Sequence, residues 1–202
     1  MKVVGLCGGS GSGKGLVCSF FDELGLKCID TDKVYHDLIS KDSECTRELI
    51  SFFGEGISSN SKIDRKKLRD IIFSSDDALE QLNRITHKHI LAQVRTMIEE
   101  YKKQGYPGVI VDAPVLFESG FDKECDLTIC VIADEKIRIE RIINRDNITF
   151  DVAKARIDSQ ITNQELIRKC TYWVENGSTE RELFKRVSDL YKTIFENLLQ
   201  EI

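Results

Sequence analysis

No stretch of the 202-residue chain approaches the ~18 consecutive apolar residues of a membrane span, which argues against an integral membrane protein. Positive charge is also short, with 29 Lys and Arg against 34 Asp and Glu and a formal net charge of −5. Nonspecific nucleic-acid binding relies on many phosphate-neutralising cations, so a nucleic acid is not an expected partner; a locally basic pocket for a small polyanion stays open. The seven cysteines (Cys7, Cys18, Cys28, Cys45, Cys125, Cys130 and Cys170) are odd in number and never form C-x-x-C. They suggest neither a zinc site nor a disulfide framework, and several lie in apolar runs where a thiol packs as a small hydrophobe. His36, His87 and His89 share no metal-ligand spacing with them; His36 and His89 read as surface or satisfied polar groups, and Trp173 as core. There is no charged-then-apolar leader, no internal repeat and no low-complexity segment. These absences describe a reduced, cytoplasmic, soluble protein.

What is present suits one domain with a proper core: 41% hydrophobic and 31% charged residues. Short apolar runs alternate with longer amphipathic stretches, the pattern of an α/β fold with a parallel sheet and crossover helices. Strands are predicted at Lys2–Cys7, Lys27–Ile29, Val109–Val111, Leu127–Ala133 and Thr171–Val174. The roughly 75 residues between the second and third are too many for one crossover and look helical. Ser74, Ser75, Asp76 and Asp77 make a helix start. Leu79, Leu82, Ile85, Ile90, Val94, Met97, Ile98 and Tyr101 then recur at helical spacing until Lys102, Lys103 and Gly105. A last helix begins at Thr179 with Glu182 in capping-box spacing and carries Leu183, Phe184, Val187, Leu190, Tyr191, Ile194 and Leu198 along one face.

The chemistry starts at "GLCGGSGSGKGLVCSF". Between a strand and a helix, Gly9, Ser10, Gly11, Ser12, Gly13 and Lys14 can wrap backbone N–H groups around a phosphate, with the helix N-terminus and the lysine adding positive potential. Ser or Thr should follow the lysine to ligate magnesium, but Gly15 and Leu16 stand there. Glycine leaves room for a water, and magnesium in nucleotide sites keeps several waters, so the gap is read as weakened metal binding rather than a dead site. Downstream, "CIDTD" puts Asp30 and Asp32 just past the second strand, one expected to face the loop and the other to cap the next helix. "GVIVDAPVLFE" ends a strand on Asp112, placed for a magnesium-bound water, and follows it with an apolar run from Ala113 to Phe117. In "IRIERIINRD", Arg141 and Arg145 share a helical face and can clamp phosphates.

In this order the motifs resemble the dephospho-CoA kinase family, nearly end to end. The resemblance runs through the glycine loop, "LGLKCIDTDKV", "IDRKKLRDIIF", "LNRITHKHI", "VIVDAPVLFESGF", "RIERIINRDNIT" and "RIDSQIT" with Gln160. It implies a P-loop NTPase-like three-layer sandwich whose five-stranded parallel sheet has the order 2-3-1-4-5. A nucleotide-binding core would cover about 1–32 and 106–202, a helical acceptor-binding region about 33–105, and a lid about 138–165. The implied activity is transfer of a phosphoryl group from ATP, with Mg2+, to the 3′-hydroxyl of dephospho-CoA. Asp32 matches the family's base, Lys14 the loop lysine, and Arg141 and Arg145 the lid arginines. Gly9 to Leu16 would hold ATP. Asp32, Arg65, His87, Pro114, Leu116 and Phe117 would meet the acceptor, and Asp32 and Asp112 would hold Mg2+ through water.

Three positions depart from the family pattern: Gly15-Leu16 for Ser/Thr-Thr, Lys88 for a proline after His87, and "CTYWVENG" for a more acidic approach to the fifth strand. Only the first touches the metal. Two other readings rest on the loop: a kinase for another small molecule such as a nucleoside, and a nucleotide- or CoA-binding protein weakened in catalysis by Gly15.

Overall fold

The computed structural model describes residues 1–59, 62–73 and 75–196; Ser74 and Leu198 of the expected helices lie outside them. Strand β1 (Lys2–Cys7) leads through the glycine loop into α1 (Lys14–Glu23) and β2 (Lys27–Asp30). Then come α2 (Thr31–Ile39), α3 (Glu44–Phe53), the short antiparallel pair β3 (Ser58–Ser59) and β4 (Lys62–Ile63), α4 (Arg65–Ile72) and α5 (Asp76–Lys103). The chain returns through β5 (Gly108–Asp112), β6 (Leu127–Ile132), α6 (Glu135–Asp146), α7 (Phe150–Asp158), α8 (Asn163–Lys169), β7 (Tyr172–Glu175) and α9 (Glu180–Tyr191). It forms two compact units, residues 1–29 with 100–202, and residues 30–99.

The larger unit is built on the five-stranded sheet β2-β5-β1-β6-β7, which is the expected order counted along the chain. β1 lies between β5 and β6, both parallel to it, and all four of Val4, Gly5, Leu6 and Cys7 are buried. Such a strand, covered on both faces, needs the continuous apolar run that its sequence has. Phe20 and Phe21 of α1 and Leu183 and Val187 of α9 pack with Val4, Leu6, Ile110 and Ile129 into one core. Phe20 meets Phe184 edge-on at 5.1 Å, a favourable aromatic geometry. The capping box of Thr179 and Glu182 is formed at the start of α9. Beyond Tyr191 the helix widens into a π turn over Lys192–Glu196, where Lys2 Nζ donates to Ile194 O at 2.9 Å.

Trp173 is a correction. It lies on the sheet-edge strand β7 and is 52% exposed, because that strand has a covered face only where Val174 points.

The smaller unit has its own core, in which Ile39, Leu49, Ile57, Leu68, Leu82 and Ile85 pack together. Asp30 caps α2, its Oδ1 accepting from the Asp32 and Lys33 N–H groups at 2.9 and 3.1 Å. This resolves the Asp30/Asp32 choice for capping. Ser75 Oγ accepts from Ala78 N–H at the start of α5. The α5 stripe is buried at Leu82, Ile85, Val94 and Ile98, whereas Leu79, in the first turn, is 43% exposed. His89 is a satisfied polar group, 2.7 Å from Glu48 Oε2, and Lys88 Nζ donates to the same oxygen at 3.0 Å.

Candidate active site

The loop after β1 takes its shape from glycines and keeps it through distant side chains. Gly11 and Gly13 have φ of +76° and +90°, which L-residues with a Cβ adopt at a cost. Gly13 stands at the N-cap of α1, where no side chain caps the helix; the first-turn N–H groups and the helix dipole are therefore offered to an anion. Ser12 Oγ is buried and has no hydrogen-bond partner among the described residues, as expected of a hydroxyl that completes its bonding on a ligand. Lys14 Nζ donates to Gly8 O at 3.2 Å and stands 3.9 Å from Asp112 Oδ1. Asp112 reaches this point because β5 pairs in register with β1, Asp112 against Leu6.

Four side chains from later in the chain fasten the loop. Arg141, on α6, donates from Nη1 to Gly11 O at 3.2 Å and from Nη2 to Asn176 Oδ1 at 3.2 Å. Asn176 is buried and donates from Nδ2 to Ser12 O at 2.7 Å. Arg138, only 4% exposed, donates from Nε to Ser10 O at 2.9 Å and from Nη2 to Gln160 Oε1 at 2.8 Å. Gln160 also accepts from Ser10 N–H at 3.0 Å and donates to Ser10 Oγ at 3.0 Å. A Cβ on Gly9 would lie 2.2 Å from Arg138 Nη2, so residue 9 has to be glycine for this guanidinium to close on the loop. Desolvation lowers the pKa of Arg138 below the usual arginine value; a group of so high an intrinsic pKa stays charged.

Arg145 is not brought to the loop. It is exposed and pairs bidentately with Asp146 at 2.7 and 3.0 Å, and Arg156 bonds the same carboxylate. The hydrogen bonds from Arg145 and then Arg156 hold the Asp146 carboxyl far below the ordinary range. Leu116 is also corrected: fully buried, it is a core residue, not part of a wall open to a ligand. Pro114 is exposed, and Phe117 is half-buried with Lys169 Nζ 5.1 Å from its ring centroid.

Within the smaller unit, Asp32 is exposed in the first turn of α2 and His87 is half-buried on α5. Arg65, at the start of α4, lines a cavity of about 440 Å3 together with Tyr35, Lys66, Arg69, Ile72 and Leu82. Among the described residues none of its three cations is in an ion pair.

The family model for dephospho-CoA kinase matches residues 2–182. The chain belongs to the dephospho-CoA kinase family. The dephospho-CoA kinase of Fusobacterium nucleatum is 41% identical over 196 residues, 96% of this chain and 99% of that one. The solved dephospho-CoA kinase of Campylobacter jejuni is 25% identical, with a TM-score of 0.72 over 96% of this chain and 98% of that one. TT1252 from Thermus thermophilus shares the fold, with a TM-score of 0.81 over 95% and 96% of the two chains at 24% identity. The activity of the family is that of this chain: phosphorylation of dephospho-CoA to CoA, the last step of coenzyme A synthesis. No described helix is long and apolar enough to cross a membrane.

Arg138 and Asn176 are the site residues that sequence reasoning missed. Arg138 was findable, since it precedes Arg141 by three positions on one helix face. Asn176 was not, because its role depends on where β7 ends beside the loop.

Proposed function

We propose that the loop from Gly9 to Leu16 holds the phosphates of ATP and that Asp32 prepares the acceptor hydroxyl. The observation that carries the donor half is the uncapped N-terminus of α1 behind a loop whose buried Ser12 hydroxyl has no partner among the described residues. Backbone N–H groups and Ser12 Oγ then donate to phosphate oxygens. Lys14, already aimed at the loop mouth between Gly8 O and Asp112, neutralises charge on the outer phosphates as the bond to the leaving group stretches. Arg141 keeps the loop closed and adds positive potential. Arg145, on the same helix, joins when the 138–165 segment closes over bound nucleotide and the arginine exchanges Asp146 for phosphate.

The residues present fit Mg2+. Among the described residues no three His, Cys, Asp or Glu side chains converge on one point, and nucleotide sites commonly contribute only one or two carboxylates, leaving the remaining positions to phosphates and water. Asp112 and Asp32 would hold the ion through water. A Cβ on Gly15 would meet nothing within 4 Å, so the place of the missing hydroxyl is open to a water. Mg2+, when bound, supplies charge screening on the phosphates.

For the acceptor, the smaller unit supplies the cavity beside Arg65. Its cations, in no ion pair among the described residues, suit the anionic part of dephospho-CoA, and Tyr35, Ile72 and Leu82 suit its apolar arm. His87 is a further acceptor contact proposed in this unit, and the exposed Pro114 and half-buried Phe117 are those proposed in the larger one.

The decisive experiment follows ADP release with ATP and dephospho-CoA across a magnesium titration, identifying CoA by mass. Product formation that Asp32→Ala lowers by roughly 10²–10⁴-fold, with ATP affinity retained, supports the assignment of the base. An unchanged rate in that variant removes Asp32 from the role.

A further inference from the structure

Three thiols meet where β1 runs into the phosphate loop. Cys7 is the last residue of β1, and Cys130 is its register partner on β6. Cys170 follows α8, and its Sγ lies 3.5 Å from Cys7 Sγ. Cys7 and Cys130 are buried, Cys170 is partly exposed, and all three are free thiols. The arrangement is polarised. Hydrogen bonds from Cys130 and then Cys7, together with Thr128 and the charge of Lys169, hold the Cys170 thiol well below the ordinary value. The bond to Cys170 and burial push Cys7 up. Cys45 makes the contrast: it is fully buried in the core of the smaller unit, with burial alone the main influence on it, and its thiol is pushed up to about 11. Packing accounts for Cys45. It does not account for a reachable sulfur set against a second, buried one.

We propose that Cys170 and Cys7 are a peroxide-reactive pair that closes to a disulfide and slows the kinase. The Cys170 thiolate attacks one oxygen of the peroxide. The O–O bond breaks, the departing hydroxide is protonated to water, and Cys170 becomes a sulfenic acid. Cys7 sulfur then attacks the Cys170 sulfur. The S–O bond breaks, hydroxide leaves with the Cys7 proton as a second water, and the disulfide remains. In total two thiols are oxidised by two electrons and one peroxide is reduced. A disulfide is about 2.05 Å long, so the two sulfurs, now 3.5 Å apart, must approach by about 1.5 Å. Cys7 is bonded to Gly8, whose carbonyl anchors Lys14 Nζ at 3.2 Å. The movement therefore reaches the lysine that meets the phosphates, and misplacement of that size lowers rates by on the order of tenfold or more.

The test exposes the reduced full-length protein to hydrogen peroxide and maps its peptides without reduction, with the kinase rate followed in parallel. A linked Cys7–Cys170 peptide pair is expected, with the rate down about tenfold and both changes reversed by dithiothreitol. Cys170→Ser should keep the rate of the reduced protein and lose its peroxide sensitivity, and Cys130→Ser should still cross-link. Linkage of Cys130 to Cys170, linkage of Cys18 to Cys28 alone, or no disulfide overturns the pair. The map needs no variant, so it stands even if a substitution unfolds the chain. Only the rate arm rests on reading the loop as the phosphate site: a Cys7–Cys170 link without loss of rate overturns the coupling to the loop and leaves the disulfide standing.

Discussion

Cations in the two units are used in opposite ways. Around the loop, Arg138 and Arg141 are committed to backbone carbonyls and to Gln160 and Asn176, so their positive charge goes into holding a shape. In the smaller unit, Arg65, Lys66 and Arg69 line a cavity without an ion pair among the described residues, and their charge is still available. A braced cation fixes geometry and gives up part of its attraction for a ligand. An unbraced one is a weaker positioner but a stronger lure. Donor geometry matters most at the transferred phosphate, where small displacements are expensive, and the braced pair holds the loop proposed to grip the donor.

This contrast can be broken at graded cost. Lys14→Ala removes the cation proposed to meet the outer phosphates, and kcat should fall by roughly 10²–10³-fold, read in the ADP-release assay. Arg138→Leu takes away a brace and leaves the half-buried Ser10 carbonyl without its donor. Stability should drop by about 1–3 kcal/mol in urea unfolding, with the KM for ATP raised and the KM for dephospho-CoA little changed. Arg65→Ala should do the reverse, raising the KM for dephospho-CoA about tenfold, the equivalent of about 1.4 kcal/mol, with stability and ATP binding preserved. If both arginine variants move the same KM, braced and unbraced cations are not distinct. Gly15→Ser has the smallest expected effect. Its side chain enters open space, the helix gains a few tenths of a kcal/mol at most, and the magnesium concentration for half-maximal rate should fall by roughly two- to fivefold. No change would mean that water already serves there.

Much of this was legible in advance, for identifiable reasons. The sheet was, because β1, β5 and β6 are buried on both faces and so read as unbroken apolar runs. The loop was, because its glycines answer a backbone requirement that no other residue meets. Arg141 and Arg145 read alike, four positions apart on one helix. Asp146 and Arg156 separate them, and that depends on the turn between α6 and α7, which helical spacing does not describe. Leu116 and Trp173 were misplaced for the same reason in opposite senses: apolarity says what a side chain prefers, whereas the strand's place in the sheet and the turn after it decide what covers it. Asn176 was illegible because a single amide has no pattern.

The loop is written in the first fourteen residues, yet Asn176 bonds a carbonyl 164 positions earlier. During synthesis, the segment that looks most complete is among the last to be finished. β1 cannot sit in its sheet until β5 and β6 have emerged, and the loop above it is not fastened until β7 is in place. A chain interrupted after β6 would still have its central strands and the whole glycine motif but no Gln160 and no Asn176, and so would hold its phosphate loop open. In this protein the nucleotide site ripens late, and its completion reports that nearly the whole fold has been made.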